Sequence, residues 1–287
     1  MTDFSDKLRR RFRVEVEPEA GRGDDALSGE TAEFLRRRWL RRQAARPTVV
    51  LPAGEVCHNV GGEFYKRTLR YPLDTLHGAL RLATAAVVDG ERIATLARDT
   101  SDEGFDLSQC LFLDTETTGL SGGAGTVVFL CGLGWIDTEA LTVEQVFLRA
   151  FADEPGVLRH VAMRLVEHPH LVTFVGKSFD RHRLAARMAM HRIESDIVRA
   201  RHLDLYHLAR RAWGKQLPDV RLRTVEEAML GLRRDDDLPG AEAPAAWLDW
   251  LRDGSGPIDR VFEHNRLDVL SLVALLGALG RAVDAEA

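Results

Sequence analysis

A carboxylate planted in the apolar face of the last helix constrains this chain more than any other feature. Residues from about Pro257 to Ala282 follow a helical period. With Asp268 set at zero on a helix turning about 100° per residue, Val261 falls at about +20°, Leu275 at about −20°, Leu272 at about +40° and His264 at about −40°. The stripe that must face the protein therefore carries an acid. An unpaired buried carboxylate costs several kcal/mol, so Asp268 requires a metal ion or a hydrogen-bonding partner such as an Arg or a Ser.

Asp114 and Glu116 pose the same difficulty from a strand. They follow Leu111-Phe112-Leu113 at i and i+2, so both leave an apolar strand by one face, the face of Phe112. Two poorly hydrated carboxylates side by side repel, and one should hold its proton unless a cation intervenes. The next residues, Thr117-Thr118-Gly119-Leu120-Ser121-Gly122-Gly123, are small enough for another backbone to approach. Asp180 follows Gly176-Lys177-Ser178-Phe179 where a buried strand passes into a helix, and taken alone it favours the helix dipole. Asp204, between Leu203 and Leu205, reads as a structural strand-end acid. Asp235-Asp236-Asp237 before Leu238-Pro239-Gly240 reads as a solvated loop.

The stretches between these acids outline an α/β unit. Strands are expected at Leu111–Leu113, Thr126–Trp135 and Leu141–Arg149, the last two close enough in sequence to pair antiparallel. Helix Pro155–Glu167, strand Leu171–Val175, helix Ser178–Met190 and a short strand at Leu203–Leu205 follow, and helices end the chain. That order predicts a mixed sheet flanked by helices over residues 107–287. Residues 47–106 have short β-prone runs, Thr48–Leu51 and Phe64–Leu69, between turn residues, and read as a small N-terminal β-containing extension that closes with a polar linker. Residues 1–46 form a charged segment with a helix over Thr31–Ala45. Its Arg36-Arg37-Arg38-Trp39-Leu40-Arg41-Arg42 run reads as a solvated face more readily than as a nucleic-acid contact.

Composition excludes little. The net charge of −5 argues against a surface built throughout to coat nucleic acid, but an acidic site lowers the total by itself. Cys57, Cys110 and Cys131 are few, odd in number and scattered, which suits a reducing compartment and lacks zinc-ligand spacing. The polar start at Met1–Arg10 and the short apolar runs predict no signal peptide and no membrane span, hence a cytoplasmic protein.

Taken together, Asp114-Thr-Glu116-Thr-Thr-Gly119-Leu120, then Ser178-Phe179-Asp180, then His264-Asn-Arg-Leu-Asp268 resemble the three motifs of the DEDD exonuclease superfamily, in the same order. Phe112–Trp135, Leu205–Trp213 and Glu263–Leu272 are similar, more narrowly, to the bacterial YprB-like ribonuclease H-like proteins, as are Gly62–Tyr65 and Tyr71–Gly78 in front. The resemblance implies a ribonuclease H-like fold and two divalent cations, Mg²⁺ or Mn²⁺, held by Asp114, Glu116, Asp180 and Asp268. It implies His264 as the group that orients or deprotonates water, and substrate contacts at Thr117, Gly119, Leu120, Lys177, Ser178 and Asn265. Carboxylate ligands suit these hard cations and disfavour zinc. The implied activity is hydrolysis of nucleic acid from a single-stranded 3′ end. An endonuclease using the same cations, or a binding module that has lost turnover, are the alternatives. The sequence departs from the superfamily pattern at the histidine, which stands four residues before Asp268, and at Val175-Gly176 and His182, which replace an Asn-Gly pair and a Pro.

Overall fold

Residues 50–97, 106–119 and 125–282 are described by the computed structural model of this chain, which divides into the units Met1–Arg46 and Pro47–Ala287. The second unit holds the sheet and all the acids singled out above. The arginine-rich helix expected over Thr31–Ala45, Leu120 and most of the expected linker lie outside the described residues.

The strands in chain order are Glu55–Asn59 (β1), Gly62–Pro72 (β2), Leu76–His77 (β3), Leu80–Arg81 (β4), Cys110–Thr117 (β5), Val128–Ile136 (β6), Ala140–Phe147 (β7), His170–Thr173 (β8) and Arg201–Asp204 (β9). The helices are Gly90–Ala97 (α1), Glu154–Glu167 (α2), Asp180–Met190 (α3), Leu205–Trp213 (α4), Leu222–Val225 (α5), Ala243–Asp253 (α6) and Ile258–Ala282 (α7). Seven strands form one sheet in the order β1-β2-β7-β6-β5-β8-β9, and β3 pairs with β4 apart from it. The β5-β6-β7 meander is antiparallel, as expected, whereas β5-β8-β9 is parallel. The parallel half follows from its helical crossovers, α2 into β8 and α3 into β9, because only a long connection returns a strand in the same direction.

The β-containing extension expected before residue 107 joins the main sheet: β2 lies antiparallel along β7 from Tyr65↔Phe147 to Pro72↔Ala140, and β1 follows it as the sheet edge, while β3 and β4 form a separate pair. The runs were too polar on one side to reveal a partner so far along the chain. Val50 and Leu51, the described part of the Thr48–Leu51 run, are not in a strand.

Alternation along β5 sorts the core into two layers. Leu111 and Leu113 pack with Leu184 and Met188 of α3 and Trp247 of α6, while Phe112 packs on the other face with Val269, Leu272 and Val273 of α7. Asp114 therefore leaves β5 on the α7 side. Opposite Phe112 and Asp114 in the register stand Gly134 and Gly132 of β6, whose missing side chains make a trough for α7. A Cβ on Gly132 would lie 2.5 Å from Asn265 Oδ1 and 2.7 Å from Val269 Cγ2. Helix and sheet approach this closely only because the residue is glycine.

Gly132→Ala should lower stability by about 1–3 kcal/mol, the range for overpacking a filled interior, read as a lower urea midpoint. An unchanged midpoint would mean that α7 is not seated against β6.

Candidate functional site

The trough brings the carboxylates together. Asn265, fully buried on α7, donates from Nδ2 to Asp114 Oδ2 at 2.8 Å and accepts on Oδ1 from Gln145 Nε2 at 3.0 Å. One residue thus fixes the rotamer of Asp114 and ties α7 to β5 and β7. Expected to contact substrate, Asn265 is instead an interior clamp, because the α7 face it occupies is the one that meets β6. Asp180, first residue of α3, accepts a hydrogen bond from Thr115 on the opposite face of β5. Asp268 and Glu116 converge on His264, whose Nε2 lies 3.6 Å from Asp268 Oδ2 and 3.9 Å from Glu116 Oε1.

Burial pushes Asp114, Glu116 and Asp180 up, with neighbouring acids adding to it. Asp114 is raised well above the usual carboxylate range by desolvation, then by Asp268, Glu116 and Asp180. Glu116 is pushed up to about 8 by burial, against the pull of His264, and Asp180 to about 6 by burial, against the Thr115 hydrogen bond.

Two cations face this group, and the sequence reading missed both partnerships. Arg234, buried in the segment before α6, donates from Nη1 to Asp268 and from Nη2 to Glu226, with further contacts to Asp237 at 3.3 Å and Ser271 Oγ at 3.2 Å. Ser271 in turn meets the buried His77 at 2.7 Å, linking the front segment to the site. Asp268 therefore has the arginine partner that its helical position allowed for. His264 Nδ1 pairs with Asp237 Oδ2 at 2.7 Å. Burial works against the imidazolium, but the Asp237 hydrogen bond and the charges of Asp268 and Glu116 hold its pKa at about 10. These contacts favour the imidazolium form of His264 as long as the acids around it hold no cation. Asp237 is also corrected: Asp235 and Asp236 are exposed, but Asp237 turns inward. Nothing in the spacing of a charged Pro/Gly loop reveals these contacts, which close over 34 and 27 residues.

Remaining predicted residues fall around this centre. Thr117 is buried and donates to Gly119 O at 3.2 Å, while Lys177 and Ser178 are exposed in the β8–α3 loop. Asp204 is structural, as expected: its carboxylate accepts from Val175 N at 2.8 Å, Lys177 N at 3.0 Å and Tyr206 N at 3.1 Å, which caps α4.

A divalent cation fits the donor chemistry of this set. Asp114, Glu116, Asp180 and Asp268, together with Glu226 and Asp237, set six acids against the two cations Arg234 and His264, so hard-oxygen acids outnumber the positive charge here even though Asp268 is paired with Arg234. Among the described residues no three carboxylate, imidazole or thiol side chains already converge as a metal-binding group, and one oxygen of Asp268 is engaged by Arg234. Ion binding would therefore require side-chain adjustment around Asp268.

Two comparisons bear on this arrangement. The family model described as the RNase H superfamily matches residues 111–280, which take in every acid of the centre. The chain is 32% identical over 223 residues to the "Uncharacterized protein YprB" of Bacillus subtilis (strain 168), an alignment that covers 77% of this chain and 54% of that protein. The chain thus spans about half the length of that relative. Among the described residues no helix is long and apolar enough to cross a membrane.

An acid raised above its unfolded value binds more protons in the native state, so stability falls as pH rises across the gap. Asp180 opens that gap from 3.8 to about 6, and Glu116 from 4.5 to about 8. His264 acts with the same sign from 6.5 to about 10, since the contribution of its charge is complete below the lower value and lost through the upper. In EDTA the urea midpoint should therefore fall between about pH 5 and about pH 9, and Glu116→Gln should flatten the fall. A midpoint that rises over this range would contradict the electrostatic description.

Proposed function

The chain belongs to the ribonuclease H superfamily, and from that premise we propose that it is a divalent-metal-dependent nuclease acting as a 3′→5′ exonuclease on single-stranded DNA or RNA. The observation that carries this reading is the gathering of four carboxylates, buried Glu116, Asp180 and Asp268 with half-buried Asp114, beside only two cations, Arg234 and His264, which must also serve Glu226 and Asp237. Such a set is poorly explained as a stabilising feature, because the surroundings of Asp114, Glu116 and Asp180 oppose their charged forms.

These four residues would hold two Mg²⁺ or Mn²⁺ ions. The chemistry that bound ions supply in such a site is Lewis-acid polarisation of the scissile phosphate and acidification of water. The protein's own contribution is orientation. Asn265 fixes Asp114, Thr115 fixes Asp180, and Arg234 holds one oxygen of Asp268 while its other oxygen faces His264. Asp237 fixes the His264 ring so that Nε2 points toward Glu116 and Asp268, where a proton can be delivered to a departing oxygen. Burial of the acids excludes the bulk water that would otherwise screen them.

One observation favours a second reading, a nucleic-acid-binding module without turnover: Asp268 already has a partner in Arg234. End-labelled single strands, duplexes and RNA–DNA hybrids, incubated with Mn²⁺ or EDTA, separate the two. A ladder of 3′-shortened products that needs Mn²⁺ supports the exonuclease, and internal cuts would make it an endonuclease. Asp114→Asn and Asp180→Asn should each lower the rate at least about 100-fold, since losing even groups that support metal ligands costs about 10–100-fold. Full activity in these variants, or in EDTA, would overturn the reading.

A further inference from the structure

Beside the carboxylate centre, the ends of β8 and β9 carry a group of rings that no step above uses. Phe174 and Tyr206 meet edge to face with centroids 5.9 Å apart, and Tyr206 meets His207 at 5.3 Å and 70°. Phe174, which packs in part on the core, and Tyr206 are half-buried and His207 is exposed, so part of the surface of this ring ladder reaches solvent. Val175, next to Phe174, is 42% exposed and adopts a φ of +66°, a left-handed conformation that a β-branched residue takes only where its surroundings enforce it.

The enforcing group is Asp204. It accepts the Val175 and Lys177 amides of one segment and the Tyr206 amide of the other, so a single buried carboxylate sets the spacing of the ladder. Asp180 lies three residues beyond Lys177, which ties the ladder to the acids. Exposed cations border it, with Lys177 in the loop and Arg210 one turn beyond Tyr206 on α4.

We infer that Phe174, Tyr206 and His207 form a stacking platform for the bases of a single-stranded nucleic acid, with Lys177 and Arg210 beside it for the phosphates. Open aromatic faces interleaved with cations are what an unpaired strand engages without regard to sequence, and a duplex, whose bases are already stacked, has no face to offer. The carboxyl ends of adjacent parallel strands are also where ligands of open α/β sheets lodge. A strand seated there would lead directly to Asp180. This inference rests on the reading of the carboxylate centre as one that acts on nucleic acid, and it names the part of the substrate that the centre's surroundings recognise.

Fluorescence anisotropy of the full chain in EDTA tests it without turnover. The probes are a fluorescein-labelled oligothymidylate, an abasic strand of the same length and a duplex. The wild type should bind the oligothymidylate at least about tenfold more tightly than the other two, following the usual loss on removing one base–aromatic stack. Tyr206→Ala and His207→Ala should each remove about tenfold on the oligothymidylate and nothing on the abasic strand. Tyr206→Phe should bind like the wild type. The Asp204 cap uses the backbone of Tyr206, so these variants keep it, and the exposed His207 serves if Tyr206→Ala unfolds. Equal affinity for thymidylate and abasic strands, or variants that bind like the wild type, would overturn the platform while leaving the nuclease reading intact. A wild type that binds none of the probes would also overturn the platform, whereas the nuclease reading stands or falls on the Mn²⁺-dependent cleavage of end-labelled strands.

Discussion

The hydrogen bond between Asn265 and Asp114 is the contact on which the site depends. It crosses from α7 to β5 through the space that Gly132 leaves open, and Gln145 of β7 completes it from the other side. Seating α7 at that height brings Asp268, three residues along the helix, and His264, the residue before Asn265, into the same space as Glu116. A longer side chain on β6 would lift the helix and separate acids that come from distant parts of the chain. Packing density, a property of the core, thereby sets the distances of the chemistry.

The surroundings of those acids are arranged to tolerate charge rather than to remove it. Arg234 and His264 bring positive charge to the centre, yet each is bound to an acid of its own, Glu226 and Asp237. Arg234 is shared with Asp268, and the outcome is a network in which six acids face two cations. That network also recruits His77 through Ser271, so the front segment is part of the support of the site as well as part of the sheet. Networks of this kind are costly when partly satisfied, which makes the uncompensated acids the feature most in need of a functional cause.

Much of this was legible in the residues. The period of α7 placed Asp268 on its inner face, the alternation of β5 placed Asp114 and Glu116 together, and both hold in the structure. Element order gave the mixed sheet, because the meander and the crossovers have distinct spacings. The failures share one cause. Pairing of β2 with β7, and the contacts of Arg234 and Asp237, are long-range choices among many charged or β-prone residues, and local pattern carries no information about them. Asn265 was misread for a related reason. Polar residues in a motif suggest substrate, whereas its burial against Gly132 follows from a glycine on another strand.

Uptake of Mn²⁺ by the EDTA-treated full chain, followed by loss of the free-ion EPR signal, addresses the central claim directly. The account predicts that about two ions bind, as two-metal phosphodiester chemistry requires, and that Asp180→Asn loses at least one of them while remaining folded. A folded wild type that leaves the free-ion signal unchanged at millimolar Mn²⁺ would contradict it.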